Sequence, residues 1–253
     1  MILLPEARRR WRSTTWLLAI SYAVTLVLFV AATKLTTSAN AIFLQSTAPF
    51  YLLLLGPFVL REPIRRIDLL VISAVGTGAI LLLFGSQRVA VTAPDPVRGN
   101  FLGTCTGLTW ALTLTGLRWV GKRVEHAESP ATVVTAGNLI ACLACLPIAL
   151  PMTHAGAKDM VILLYLGIFQ IGFAYAALAR SIRHVPGLEA ATLLLIEPVF
   201  NPIWTWLIHR EQPSPLALAG GALIVFSTFA STWWQARQRS IVPTPERVVK
   251  GRE

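Results

Sequence analysis

Eight stretches of about twenty mostly apolar residues, joined by short charged connections, constrain this chain more than any other feature. They run over Thr14–Thr33, Ser38–Leu60, Leu69–Gln87, Gly99–Leu117, Ala131–Met152, Met160–Ala179, Ala190–Ile208 and Pro215–Gln235. A helix of about 20 residues crosses the hydrocarbon core of a bilayer. Inside lipid the backbone must satisfy its own hydrogen bonds, so segments of this length are expected to be helices. The alternation of a membrane β-barrel is absent. The expected fold is therefore an all-α polytopic membrane protein of about eight transmembrane helices. The first segment follows Arg8–Arg12 as a signal peptide would, but it is long for one, and a second spanning segment comes at once.

Only 13% of the residues are charged, against about 25% in a soluble domain. The net charge is +10. In a soluble chain that excess would suggest nucleic acid; here the basic residues sit between apolar segments, so the expected partner is the lipid bilayer and not a polynucleotide. Cys142 and Cys145 have CxxC spacing, but no second cysteine pair or nearby histidine completes a metal site. No hydrolase triad, phosphate loop or metal cluster can be traced, so no enzyme, cofactor or metal is expected.

Arginine and lysine orient the bundle. With eight crossings, seventeen of them fall on the side holding both termini and five on the other. The basic side is cytoplasmic by the positive-inside rule. The expectation is a plasma (bacterial inner) membrane protein, both termini inside, with 236–253 a basic cytoplasmic tail.

The chain also repeats itself. Thr37–Ser86 aligns without gaps on Pro186–Gln235: Ala41 meets Ala190, Leu44 meets Leu193, Pro49 meets Pro198, Arg61 meets Arg210, Glu62 meets Glu211 and Leu69 meets Leu218. Leucines and alanines match by chance in greasy helices; a shared proline and a shared Arg-Glu pair at one register do not match so easily. The second and seventh segments cross in opposite directions, so the repeats are inverted. Secondary transporters are commonly built this way, with the site near the midplane.

In the second repeat the run Ala190 to Leu195, Glu197-Pro198-Val199-Phe200, Arg210-Glu211 and Gly220-Gly221, together with Gly107-Leu108-Thr109-Trp110-Ala111, resembles the EamA-type transporters of the drug/metabolite transporter superfamily. The likeness covers nearly all of residues 16–235. It implies a ten-helix plan of two five-helix repeats, of which 99–235 supplies a whole second repeat and 14–87 the last three helices of the first, the first two being absent. It also implies export or exchange of small organic metabolites or drug-like solutes by alternating access. The alternative is a truncated, non-transporting membrane protein that assembles with a partner chain, a second copy included.

Candidate residues follow. Glu197 is the only formal charge inside an apolar segment, where a charge costs roughly 2.5–3.5 kcal/mol and tends to mark an ion or substrate pathway. Carrying a proton or pairing with a cationic solute would both suit a carrier. Asn201, Trp204 and Thr205 share its helix face at i+4, i+7 and i+8. Asn40, Thr47 and Tyr51 share a face of the second segment, though interhelical hydrogen bonding would explain such residues as well. Pro49 and Pro198 each remove a backbone donor and kink their helices. Trp110, Gln170 and Tyr175 are further lining candidates. Glu62 and Glu211, beside Arg61 and Arg210, are solvated end charges or gating contacts. Gly99, Gly103 and Gly107 form a GxxxGxxxG stripe suited to close helix contact.

Overall fold

The computed structural model describes residues 12–60, 66–85, 92–123, 130–150, 156–174, 196–210 and 213–241. Its elements are α1 (Ser13–Leu35), α2 (Ser38–Gln45), α3 (Ala48–Leu55) running into a wider π-helical turn at Gly56–Leu60, α4 (Arg66–Gly85), α5 (Pro96–Arg123), α6 (Pro130–Ala149), α7 (Ala157–Tyr165) continued by π-helical turns over Leu166–Phe173, α8 (Ile196–His209) and α9 (Pro215–Ile241). Each of the eight apolar segments is thus helical in its described part, and the second is broken into α2 and α3. Ser13–Leu35, Ser38–Val59, Arg66–Gly85 and Ala131–Ala149 are each long and apolar enough to cross a membrane, and Pro215–Ser231 is a shorter apolar stretch. The chain is an all-helical, multi-pass membrane protein.

α5 is long but less apolar, because it carries Asn100 and five threonines. Four of the five hydroxyls are hydrogen-bonded, and that of Thr115 is buried with no hydrogen-bond partner among the described residues. Thr104 and Thr106 donate to carbonyls one turn back at 2.9 Å, a way for threonine to hide its polarity in a helix. The rest of the polarity faces α1: Thr25 donates to Thr109 Oγ1 at 2.9 Å, Thr113 to Ser21 Oγ at 2.9 Å, and Ser21 to the Thr109 carbonyl at 3.0 Å. Such bonds between membrane helices contribute about 0.6 kcal/mol each, so this seam fixes register more than it adds stability.

Small residues set the spacing elsewhere. The glycine stripe of α5 runs along α2 one turn at a time. A Cβ on Gly99 would lie 2.6 Å from Thr36 N, on Gly103 3.2 Å from Leu44, and on Gly107 2.7 Å from Thr47 Oγ1. The stripe is therefore a close helix contact, as its spacing predicts. On the other flank α6 leans on α1, where Gly137 makes room for Tyr22.

The core lies where α2, α4 and α9 meet, and is filled by Ile42, Phe43, Leu44, Val71, Val75, Leu82, Ala217 and Ile224. α4 and α9 run antiparallel: Gly85 abuts Ser214 and Ala217, whereas Gly78 abuts Gly220 and Ile224. Their burial coincides at four positions of the sequence repeat, though Gly78 on α4 and Gly221 and Thr228 on α9 are buried without a buried counterpart. Asp68, Val71, Val75 and Leu82 are buried on α4, and the aligned residues Ala217, Gly220, Ile224 and Ser231 are buried on α9. The equivalent pair Val75 and Ile224 are both 0% exposed and sit at the crossing.

α8 ends at Arg210, which adopts φ 54°. A left-handed residue just past the last turn is a common way to end a helix, and glycine fills it without the Cβ penalty. That penalty is roughly 1 kcal/mol or a little more. Arg210→Gly is therefore expected to hold or slightly raise the melting temperature in detergent; a clear fall would show that the guanidinium, not the backbone, matters there.

α7 differs from every other long element. Neither Ala157–Tyr165 nor Leu166–Phe173 contains a buried residue, and Val161, Leu164, Tyr165 and Phe173 are all more than half exposed.

Candidate functional site

The site is built on the break between α2 and α3. Pro49 has no N–H, so the helical bond to the Gln45 carbonyl cannot form. The chain tightens instead: Thr47 N donates to the Leu44 carbonyl at 3.1 Å, and Thr47 Oγ1 donates to the same carbonyl at 2.6 Å. Pro49 then falls in the first turn of α3, where its missing donor is tolerated. The helix is thus interrupted just before Pro49, and the Gln45 carbonyl lacks the N–H that would ordinarily meet it.

Gly107 of α5 lies directly against that break. A Cβ there would stand 2.7 Å from Thr47 Oγ1, 2.8 Å from the Leu44 carbonyl oxygen and 3.4 Å from that of Gln45. Only glycine lets the α5 backbone approach the opened turn so closely. Tyr51, one turn further on, reaches Thr47 with its hydroxyl and has Cys105 of α5 beside it. Thr47, Tyr51, Cys105 and Gly107 thus form one cluster at a helix interruption. The sequence marks Gly107 only as a packing glycine and singles out no role for Cys105. No spacing rule links either to Tyr51, because the link passes between helices.

Asn40 lies apart from this cluster, towards the start of α2. Its amide donates to Thr36 Oγ1 at 3.2 Å, and Thr36 donates to Asn100 Oδ1 at 2.8 Å. All three residues are buried, and the set ties the α1–α2 corner to α5. Trp110 faces α1, its ring 6.4 Å from that of Tyr22.

α8 packs against α2, the part of the second segment that precedes the break and carries no proline. Pro198 is buried, Asn201, Pro202 and Thr205 are half-buried, and Thr205 donates to the Asn201 carbonyl at 3.1 Å. Glu197 and Trp204 stand on the open side of α8. The shared face read from the sequence is therefore split: Asn201 and Thr205 lie towards the bundle, Glu197 and Trp204 towards its rim. Gln170 is exposed on the π-helical part of α7. Tyr175, Glu62 and Glu211 lie outside the described residues.

This arrangement puts hydroxyls and a thiol at an interrupted helix, while the helix carrying Glu197 packs on α2, before the break, and turns that carboxyl to the rim. It suits reversible binding of a small polar or cationic solute.

Comparison with known proteins bears on what the bundle is. A family model described as the EamA-like transporter family matches residues 2–84 and 97–233. A protein described as an uncharacterized transporter, from Methanothermobacter thermautotrophicus, is 21% identical over 214 residues, which is 85% of this chain and 62% of that protein. The chain therefore spans less than two thirds of that relative's length. A protein of known crystal structure superposes with a TM-score of 0.57 at 20% identity, covering 93% of this chain and 80% of its own; that likeness concerns the fold alone.

Proposed function

Because this chain belongs to the EamA-like transporter family, we propose that it is a secondary transporter that exports or exchanges small organic metabolites or drug-like compounds by alternating access. One observation carries the reading: the second apolar segment is interrupted at Ser46–Thr47, directly against Gly107 of α5. Broken helices that pair between repeats are where such carriers hold their solutes. The antiparallel packing of α4 on α9, with burial at one repeat register, supports an inverted relation between 37–86 and 186–235. In this mechanism Thr47, Tyr51 and Asn201 bind the solute's polar groups. Glu197 takes either a coupling proton or the solute's cationic group. Pro49 and Pro198 supply the hinges.

The test is flux into proteoliposomes holding the purified chain alone, with counterflow of candidate amines and amino acids. Accumulation above empty vesicles supports the reading, and its absence across those solute classes counts against it. A second reading rests on α7, whose apolar surface has no cover among the described residues. There the chain is a subunit, and a partner chain lies on α7. Flux by the purified chain alone excludes an obligatory partner.

The topology is part of the same proposal: plasma membrane, both termini cytoplasmic. A reporter fused after Lys158 is expected to read outside and one after Arg239 inside. A cytoplasmic signal at Lys158 would break the alternation of eight crossings.

A further inference from the structure

Away from the helix break, α1 and α6 leave a groove of about 300 Å³ on the bilayer side of the bundle. Leu26, Val30 and Ala31 of α1 and Ala141 and Cys145 of α6 line it, and Lys34 lies at one end. Its lining is almost wholly apolar, and Lys34 stands exposed at one end. From Leu26 to Lys34 the helix rises about 12 Å at roughly 1.5 Å per residue. One leaflet of hydrocarbon is about 15 Å deep, half of a core of about 30 Å. The groove therefore runs from the middle of the membrane to one interface, and its cation sits at headgroup level.

The charge at that end is open. The nearby Asp95, whose N–H bonds the Leu35 carbonyl at 3.1 Å, is turned to Arg98 instead, at 3.3 Å. Among the described residues no carboxylate pairs with Lys34. An apolar channel one leaflet deep, closed by an unmatched cation, has the shape and charge pattern of one lipid molecule.

We infer that this groove is a binding site for an anionic phospholipid, one acyl chain lying between α1 and α6 and the headgroup on Lys34. The site is separate from the solute pathway, so it does not depend on the transport reading.

Native mass spectrometry of the full chain tests it, with phosphatidylglycerol and phosphatidylcholine offered at equal concentration. The expected result is one phosphatidylglycerol retained in preference to phosphatidylcholine. Lys34→Gln is expected to lower that preference about fivefold, the effect of one basic residue near an anionic lipid surface. Lys158→Gln, a basic residue that does not line the groove, is expected to leave it unchanged. Ala141→Phe, which fills the groove, is expected to remove the retained lipid altogether. Glycerol phosphate, which has the anion without the chain, is expected not to displace it. Equal retention of the two lipids by the unaltered chain, or a preference that survives Lys34→Gln, overturns the inference. So does displacement by glycerol phosphate, which would make the site one for a free anion.

Discussion

Glu197→Gln is expected to cut coupled flux by the reconstituted chain about tenfold or more while leaving folded yield near that of the unaltered protein. The first half rests on charge. A hydrogen bond to an ionised group is worth about 1.5–3 kcal/mol, and about 1.4 kcal/mol is a factor of ten in an equilibrium constant. Glutamine keeps the shape and most of the hydrogen-bonding capacity, but it neither carries a proton nor neutralises a cation. The second half rests on position. Glu197 stands on the open side of α8, and among the described residues no hydrogen bond or ion pair holds its carboxyl. Side-by-side flux measurements at several pH values decide the matter. Full transport by the glutamine variant, with the pH dependence unchanged, would remove Glu197 from the mechanism.

Gly220→Ala is expected to lower the melting temperature of the detergent-solubilised protein, and Gly76→Ala is not. At Gly220 a Cβ would run into the Gly78 carbonyl oxygen; at Gly78 it would lie 2.7 Å from the Gly220 oxygen and 2.8 Å from Ile224 Cγ1. The obstacle is backbone on both sides, so no side chain can swing clear, and α4 and α9 must separate. Overpacking of this kind costs about 1–3 kcal/mol, which for a chain of this size is a fall of roughly 2–12 °C. Gly76 lies two residues from Gly78, but nothing lies within 4 Å of a Cβ there. Alanine at that position gains up to about 1 kcal/mol of helix propensity. Equal shifts in the two variants would mean that the measured effect is helix propensity and that the α4–α9 crossing carries no special weight. Loss of flux in Gly220→Ala, with the protein still folded at the assay temperature, would tie that crossing to the transport cycle.

The exposed α7 has a counterpart in how α1 is covered. α1 is packed by α5 along its hydroxyl seam and by α6 at Tyr22 and Gly137, and it buries seven residues. α7 has an equally apolar surface and buries none. The difference is one of company rather than composition. It explains why a purified, single-component flux assay separates the two functional readings more sharply than any substitution.

By itself the sequence determined the membrane setting, the helical class and the number of segments. Apolar length and the backbone's need for internal hydrogen bonds leave lipid-spanning segments little choice, wherever the partners lie. The interruption of the second segment was also legible, because Pro49 removes a donor in any surroundings. The glycine stripe declared a close contact, but not that its last member would press against the opened turn at Thr47. That required α5 and α2 to be placed together. Only the tertiary structure brought Cys105 to Tyr51, drew Asn40 into a buried set with Thr36 and Asn100, and turned Trp110 towards Tyr22. It also divided the polar face of α8. Helical spacing puts Glu197, Asn201, Trp204 and Thr205 on one side of a cylinder, but which part of that side meets α2 depends on how the helix is rolled. The roll buries Pro198 and half-buries Asn201, Pro202 and Thr205, a result of how two surfaces meet that neither segment carries alone.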